Sequence, residues 1–344
     1  MKVLIAPLNW GLGHATRCIP LIKYYLEQNN ELLIASDGVA LQLLINEFPH
    51  LKFYELPSYN IQYKRSNLIW GMLTQSLKII NAVRSENKAI AQIVSQQNIQ
   101  LIISDNRLGC FHEKVKSIYI THQINLPIEN RIVQFFGNFV HRSFIKKYAE
   151  CWIPDFETSE KSISGALSHP IPKTLTQKIK FIGTLSRFTY SETKKIFSLI
   201  IVLSGPEPQR TIFENILVAQ VNNNFHSITE NEKFKICFVR GTQTENQKLI
   251  FKYSGVEIHN LLESQTLNQK ILQSNFYCGR SGYTTLMDVI ALKIPAILVP
   301  TPGQFEQMYL ADFHRSSTQF VSTSQENFNL KVSYESIKAK TIVQ

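Results

Sequence analysis

An α/β fold of two Rossmann-like, doubly wound domains facing across a cleft is what this sequence predicts, from three observations. Apolar strand-type runs alternate with helical patterns along the chain, the order restarts after a proline-rich stretch near the middle, and each half carries a glycine turn between a strand and a helix. At 344 residues the chain exceeds a typical single domain and suits two of about 150 to 180 residues. The boundaries read as a first domain over 1–167, a linker over 168–190, a second domain over 191–330 and a tail over 331–344.

The elements follow in order. Lys2 to Ala6 is an apolar run of buried-strand type, Pro7 to Trp10 a loop, and Gly11-Leu-Gly-His14 leads into the helical pattern Thr16 to Gln28. Glu31 to Ala35 reads as a strand, Gly38 to Glu47 as a helix, Lys52 to Leu56 as a strand and Leu68 to Gln97 as a long helix. Leu101 to Ser104 is a strand ending at Asp105, and strands follow at Ser117 to Thr121 and Cys151 to Pro154. Ser168 to Gly183, rich in proline and polar residues, reads as the linker. The order then restarts with a strand over Phe197 to Leu203, a loop from Ser204 to Arg210 and a helix over Thr211 to Ala219. Further strands read at Phe234 to Val239, Val256 to His259, Phe276 to Cys278 and Ala296 to Val299.

Composition narrows the function. The formal charge of +10 is spread over both halves, with no basic run of the kind that forms a nucleic-acid arm, so a nucleic-acid partner is not expected. Five scattered cysteines without a C-x-x-C suggest neither a disulfide framework nor a zinc site, and fit a reducing, cytoplasmic setting. The N-terminal apolar stretch is too short for a signal peptide, and no run reaches the ~20 residues of a membrane span. Arg131 to Lys147 mixes four phenylalanines with Arg131, Arg142, Lys146 and Lys147. It reads first as an amphipathic helix packing its phenylalanines into the core, and alternatively as a membrane-surface segment on the inner face of the membrane. The apolar tract Tyr59 to Trp70 adds to the second reading.

Two turns carry the chemistry. Gly279 and Gly282 bracket a turn where backbone can approach a ligand closely, and Thr284 and Thr285 open a helix whose free N–H groups and dipole suit a diphosphate. Asp288, one turn in, is placed to accept hydrogen bonds from ribose hydroxyls. Near the N-terminus, His14 sits at a helix start beside Gly11 and Gly13, where the positive helix end disfavours the imidazolium. A lone histidine is more often a packing residue; the two glycines beside this one point to a base. Asp105 can orient His14, act as the base itself, or simply cap the turn Asn106 to Gly109.

Cys278-Gly-Arg-Ser-Gly-Tyr-Thr-Thr-Leu-Met-Asp288, Ile294-Pro-Ala-Ile-Leu-Val-Pro300 and Gln304 to Ala311 together resemble the donor-binding signature of GT-B glycosyltransferases. The likeness is to the branch containing the lipid-linked peptidoglycan N-acetylglucosaminyltransferase and the galactolipid synthases. Gly11 to His14 is similar to that branch's N-terminal glycine loop, and Ser204 to Arg210 to the loop opening its second domain. The resemblance implies that Ser281, Gly282, Thr284 and Thr285 contact the donor diphosphate, that Asp288 meets the ribose, and that Glu306 and Gln307 hold sugar hydroxyls. It also implies a phosphate partner in Arg210 and a nucleobase against the backbone of 259–264. His14 and Asp105 are the catalytic candidates, and Gly11, Gly13, Arg17 and His122 the acceptor-side ones. The implied reaction is an inverting, metal-independent transfer from a nucleotide-sugar, a UDP-sugar in the first instance, to a lipid-linked or glycan acceptor, without a cofactor; no Asp-x-Asp metal motif occurs. The chain departs from the pattern at Asp288, where glutamate is usual, and at Pro206 and Pro208, which stiffen a loop normally rich in glycine. A nucleotide-sugar hydrolase or epimerase on the same fold, and a non-catalytic nucleotide-sugar binding partner, are the alternatives.

Overall fold

The computed structural model describes residues 1–59, 68–128, 130–224, 234–242 and 249–342. The chain divides into two units, Met1–Leu185 and Ser186–Gln344, each built on its own parallel sheet. The first runs β1 (Lys2–Pro7), α1 (Leu12–Glu27), β2 (Glu31–Ser36), α2 (Gly38–Glu47), β3 (Lys52–Glu55), α3 (Leu68–Gln97), β4 (Leu101–Asp105), β5 (Lys116–Ile120), α4 (Arg131–Ile145), β6 (Glu150–Ile153) and β7 (Ile179–Phe181). Its sheet order is β3-β2-β1-β4-β5-β6-β7. Strands β1, β2 and β4 are buried along both faces, which a parallel sheet requires and their continuous apolar runs allow. One face packs Leu4, Ala6, Leu33, Ala35 and Ile102 against Ile90, Ile93 and Val94 of α3. Helix α1 buries Ala15, Cys18, Ile19 and Ile22, the i, i+3, i+4, i+7 stripe of an amphipathic helix.

The strand order reverses between β1 and β4, where Pro7 pairs with Asp105. Loops leaving two such neighbours diverge, and the crevice at their carboxyl ends is where open α/β sheets bind ligands. The loop after β4 is fixed by a buried ion network. Arg107 donates to Asp37 at 2.6 Å, to Glu86 and to the Pro57 carbonyl at 2.9 Å, and Glu86 also accepts from Gly109 N and the Tyr59 hydroxyl, both at 2.7 Å. Gly109 is required here, since a Cβ would lie 2.5 Å from the Val83 carbonyl oxygen.

The second unit runs β8 (Phe197–Val202), α5 (Gln209–Asn224), β9 (Ile236–Val239), β10 (Val256–His259), α6 (Ser264–Leu272), β11 (Ser274–Gly279), α7 (Tyr283–Ala291), β12 (Ala296–Leu298), α8 (Phe305–Phe313), β13 (Phe320–Ser322) and α9 (Leu330–Ile342). Its sheet order, β10-β9-β8-β11-β12-β13, reverses between β8 and β11. Leu199 and Ile201 of β8 pack with Phe276 and Cys278 of β11 against Phe213, Leu217 and Val221 of α5 and Tyr334 and Ile337 of α9.

Three expectations from the sequence need correction. Residues 168–190 are not all linker: β7 lies within them, and Ser168 is fully buried because its hydroxyl, with Ser162 and the backbone of Ile163 and Ser164, closes on the Asp155 carboxylate. Residues 331–344 are not a loose tail, since α9 covers them to Ile342 and closes the core through Tyr334 and Ile337.

The third correction concerns α4. Its phenylalanines do not all pack inward: Phe135, Phe136 and Phe139 are 69%, 61% and 68% exposed. The polar side chains face inward instead. Gln134 donates to the Leu126 carbonyl at 2.7 Å, Asn138 accepts from Leu126 N at 2.8 Å, and Arg142 donates to Asn125 at 2.6 Å. Burying one such phenylalanine is worth about 1.5–3 kcal/mol, so the rotation is held against a hydrophobic preference by these hydrogen bonds. Of the tract 59–70, residues 60–67 lie outside the described residues.

Arg107→Met is expected to destabilise the fold by about 3–5 kcal/mol in a urea titration, because it strands two buried carboxylates. Adding Glu86→Gln should restore part of that loss; no change in the single variant would mean the network does not hold the loop.

Candidate active site

At the reversal point of the first sheet, Gly11 takes a φ of 77°, which glycine adopts without strain, and turns the chain from the β1 loop into α1. His14 therefore lies in the first turn of α1, and Arg17 one turn further on the same face. Asp105 meets them from the end of β4. Its Oδ1 lies 2.9 Å from His14 Nδ1, and both of its oxygens accept from the Arg17 guanidinium. Arg17 Nη1 also lies 3.4 Å from Nδ1 of His122, in the loop after β5. Asp105, Arg17 and His122 are buried, while His14 keeps 14% of its side chain exposed.

The electrostatics follow from these contacts. Burial would push the Asp105 carboxyl up, but Arg17 and then His14 outweigh it and hold it well below the usual carboxylate range. Burial and the Arg17 charge hold the His14 imidazole below its ordinary value, with Asp105 pulling the other way. His14 Nδ1 lies 2.9 Å from Asp105 Oδ1, which can only accept, and 2.9 Å from Arg17 Nη2, which can only donate; in the tautomer that donates from Nδ1 to the ionised carboxylate, Nε2 is the basic atom. The arrangement is a neutral histidine oriented by a carboxylate and able to take up a proton.

In the second unit, α7 starts at the end of β11 with Gly282 as N-cap and no side-chain cap on its first N–H groups. A Cβ on Gly282 would have nothing nearer than Thr285 Oγ1 at 4.0 Å, and its φ of −70° suits any residue, so nothing within the protein demands glycine there. Asp288 Oδ1 accepts from the Ser186 hydroxyl at 2.6 Å. Burial pushes the Asp288 carboxyl up to about 7, opposed by Ser186 and Arg187. Arg280 is structural: it is 2% exposed, lies over the Phe213 ring, and donates to the Gln209 carbonyl at 2.9 Å and to Gln325 at 2.7 Å. Cys237, Glu257 and His259 bring possible metal-ligand atoms within 4.8 Å of one another, but the Lys270 ammonium already lies 2.6 Å from Glu257 and supplies the positive charge.

Residues 200–314 match the family model described as the glycosyltransferase family 28 C-terminal domain. Over 330 residues the chain is 23% identical to a Methanosarcina mazei protein named an uncharacterized glycosyltransferase, covering 89% of this chain and 82% of that one. A Methanosarcina acetivorans protein of the same name is 22% identical over 331 residues, with 89% and 81% covered. The chain is a glycosyltransferase of the GT-B type. Solved structures share its fold. The glycosyltransferase of kitacinnamycin superposes with a TM-score of 0.69 at 10% identity, over 99% of this chain and 91% of that one. MurG of Acinetobacter baumannii gives 0.55 at 10% identity, over 100% and 90%. Phytolacca americana UGT2, complexed with UDP-2fluoro-glucose and pterostilbene, gives 0.60 at 12% identity, over 99% and 89%.

Among the residues expected from the sequence, the glycosyltransferase brings His14, Arg17, Asp105 and His122 into one cluster in its first unit, with Gly11 and Gly13 in the turn that starts α1. In the second unit Gly282, Thr284, Thr285 and Asp288 sit on the first two turns of α7, and Glu306 and Gln307 on the first turn of α8. Several of these side chains are engaged internally. The Ser281 hydroxyl donates to the Gln307 carbonyl at 2.8 Å, and the Gln307 amide accepts from Thr301 N at 2.9 Å and donates to Gln304 at 2.9 Å. Arg210 is turned to Glu207 at 2.6 Å, to Thr211 at 2.7 Å and to Glu214 at 3.4 Å. Sequence reasoning missed Ser186 and Arg187, since a residue inside an apparent linker gives no local sign that it meets an aspartate 102 positions later.

Two measurements check these electrostatics. By NMR, His14 should titrate below 6.5, and Asp105→Asn should lower it further by removing the carboxylate that favours the imidazolium; an unchanged or higher value would contradict the cluster. Because folding favours the protonated form of Asp288, its stabilising contribution is complete at low pH and lost as pH rises through about 7. Asp288→Asn, neutral throughout, should gain melting temperature relative to wild type as pH rises from about 4 to 7 and hold that gain above it; a gap constant over that range would mean Asp288 titrates normally.

Proposed function

We propose that this glycosyltransferase moves a sugar from a nucleoside-diphosphate sugar, a UDP-sugar in the first instance, to a hydroxyl of a lipid-linked or glycan acceptor, with inversion and without an obligatory metal. The observation that carries the reading is His14, kept neutral by burial and Arg17 and fixed through Nδ1 by Asp105. Its Nε2 takes the acceptor proton as the acceptor oxygen bonds to the anomeric carbon. The bond from that carbon to the diphosphate breaks, and the nucleoside diphosphate leaves with the electron pair. Asp105 offsets the imidazolium charge that develops, as an orienting carboxylate does in hydrolytic triads.

On the donor side, the uncapped start of α7 is suited to the diphosphate, with Thr284 and Thr285 in its first turn. Gly282, which the protein itself does not require, supports close approach of a ligand to that turn. Asp288, in α7, is the candidate to accept from a ribose hydroxyl, and Glu306, in the first turn of α8, is a sugar-hydroxyl candidate. Ser281, Gln307 and Arg210 would have to exchange internal hydrogen bonds to meet the donor through their side chains. Neighbours that share the fold hold UDP-2fluoro-glucose in Phytolacca americana UGT2 and thymidine diphosphate in the spinosyn rhamnosyltransferase SpnG, so the choice of UDP rests on the family resemblance. The sequence's lack of an Asp-x-Asp motif supports turnover in EDTA.

Three outcomes are expected from a nucleotide-sugar screen with thermal shift and turnover. His14→Ala should retain the donor-induced shift and lose about 10²–10⁴-fold in transfer; undiminished transfer would remove His14 as the base. Gly282→Ala should change stability by less than about 1 kcal/mol yet weaken donor binding, whereas unaltered binding would move the diphosphate away from α7. Donor consumption at the same rate without any acceptor would convert the reading to a hydrolase.

A further inference from the structure

Thr284, Thr285 and Asp288 are half-buried and lie three and four positions apart on α7, so they share one face of the helix, with Asp288 one turn beyond its start. The chain entering the second unit brings Ser186, the first residue of that unit, against the Asp288 carboxylate, where its hydroxyl donates to Oδ1 at 2.6 Å. That hydroxyl is itself oriented: its oxygen accepts from Phe188 N–H at 3.1 Å, which turns its proton toward the aspartate. Arg187, between the two, donates to the Ser264 hydroxyl at 3.2 Å and lies over the Phe188 ring. With Oδ1 held by Ser186, Oδ2 is the oxygen left to accept from a ligand.

From these contacts we infer that Ser186 is a positioning residue for donor binding: it fixes the plane of the Asp288 carboxylate so that Oδ2 receives a ribose hydroxyl of the nucleotide. The inference rests on the donor reading above, in which Asp288 meets the ribose. A carboxylate that must find its geometry anew at each binding gives up part of its interaction energy in ordering, and a hydroxyl already donating to one oxygen supplies that order beforehand. The same hydroxyl acts on the charge. Burial raises the Asp288 carboxyl to about 7, and Ser186, ahead of Arg187, opposes that rise. Ser186 therefore favours the ionised form, which accepts the stronger hydrogen bonds. Arg187 is the charged group acting on Asp288, and Tyr277 of β11, whose phenol burial and then Asp288 keep protonated, is the other titratable neighbour.

The test is isothermal titration of the full-length protein with UDP, GDP and TDP, each beside its 2′,3′-dideoxy form. Wild type should prefer the hydroxyl-bearing form of the nucleotide it binds, and Asp288→Ala should lose that preference. Ser186→Ala should weaken the hydroxyl-bearing form by about 3–10-fold and leave the dideoxy form unchanged, whereas loss of a merely structural contact would weaken both alike. Ser186→Thr, which keeps the hydroxyl, should bind as wild type does, and Ser186→Cys, a weaker donor, should fall between wild type and Ser186→Ala. These two carry the comparison should Ser186→Ala fold poorly. The wild-type preference should grow as pH rises through about 7, and Ser186→Ala should move that midpoint upward, because a group that draws the carboxyl down is gone. A preference that Asp288→Ala abolishes but the Ser186 variants neither reduce nor move in pH would overturn the inference and leave the donor reading standing. No preference in wild type, one that survives Asp288→Ala, or no binding of any of these nucleotides would overturn both.

Discussion

A carboxylate buried at the end of a parallel strand either protonates or is matched by cations, and Asp105 is matched. Arg17 reaches both of its oxygens from α1, and His14 takes one of them from the turn before. That pairing joins the two strands flanking the reversal point, since Asp105 ends β4 and α1 follows β1. It also holds the histidine ring through Nδ1, which lies 2.9 Å from both the carboxylate and Arg17 Nη2. The Arg107 network beside it keeps the next loop in register, so the site is held by two adjacent clusters of buried charge. Buried ion pairs of this kind contribute little net stability, but they leave few alternative arrangements.

The second unit solves a different problem with the same sheet geometry. Its reversal point places the start of α7 beside the loop after β8, and here the positive end of a helix rather than a side chain supplies the favourable potential. Arg280 stays out of that potential. Its guanidinium binds carbonyls of the neighbouring loops and stacks on Phe213, which ties together the segments that carry Gln209, Val299 and Pro300. Asp288 has the Ser186 hydroxyl as a partner, and burial outweighs Ser186 and Arg187 in raising its carboxyl.

Polar-in, apolar-out packing gives α4 a role that ordinary core-forming helices do not have. The helices α1 and α3 bury regular apolar stripes, whereas α4 sends amide and guanidinium groups inward to the loop over 124–126. The outward phenylalanines go with this inward polar face, whose hydrogen bonds to the part-buried loop fix the rotation of the helix.

The sequence by itself determined the parallel sheets, the two glycine turns, the helix-start positions of His14 and Asp288 and the strand-end position of Asp105, because continuous apolar runs and glycine punctuation are local signals. Among these is the strand Leu101 to Asp105, whose five residues are all buried. What it could not carry were contacts made across the fold. The Ser186 hydroxyl on Asp288, the Ser168 hydroxyl on Asp155 and the turning of Arg210 toward Glu207 and Glu214 each depend on distant or competing partners. The strands β7 and β13 lack the longer apolar run that marked β12, which is equally short, and α9 became part of the core through Leu330, Tyr334 and Ile337. Which face of α4 points inward was likewise decided by tertiary structure. Periodicity shows that a helix has an apolar side, but only the partners offered by the rest of the chain determine which side is buried.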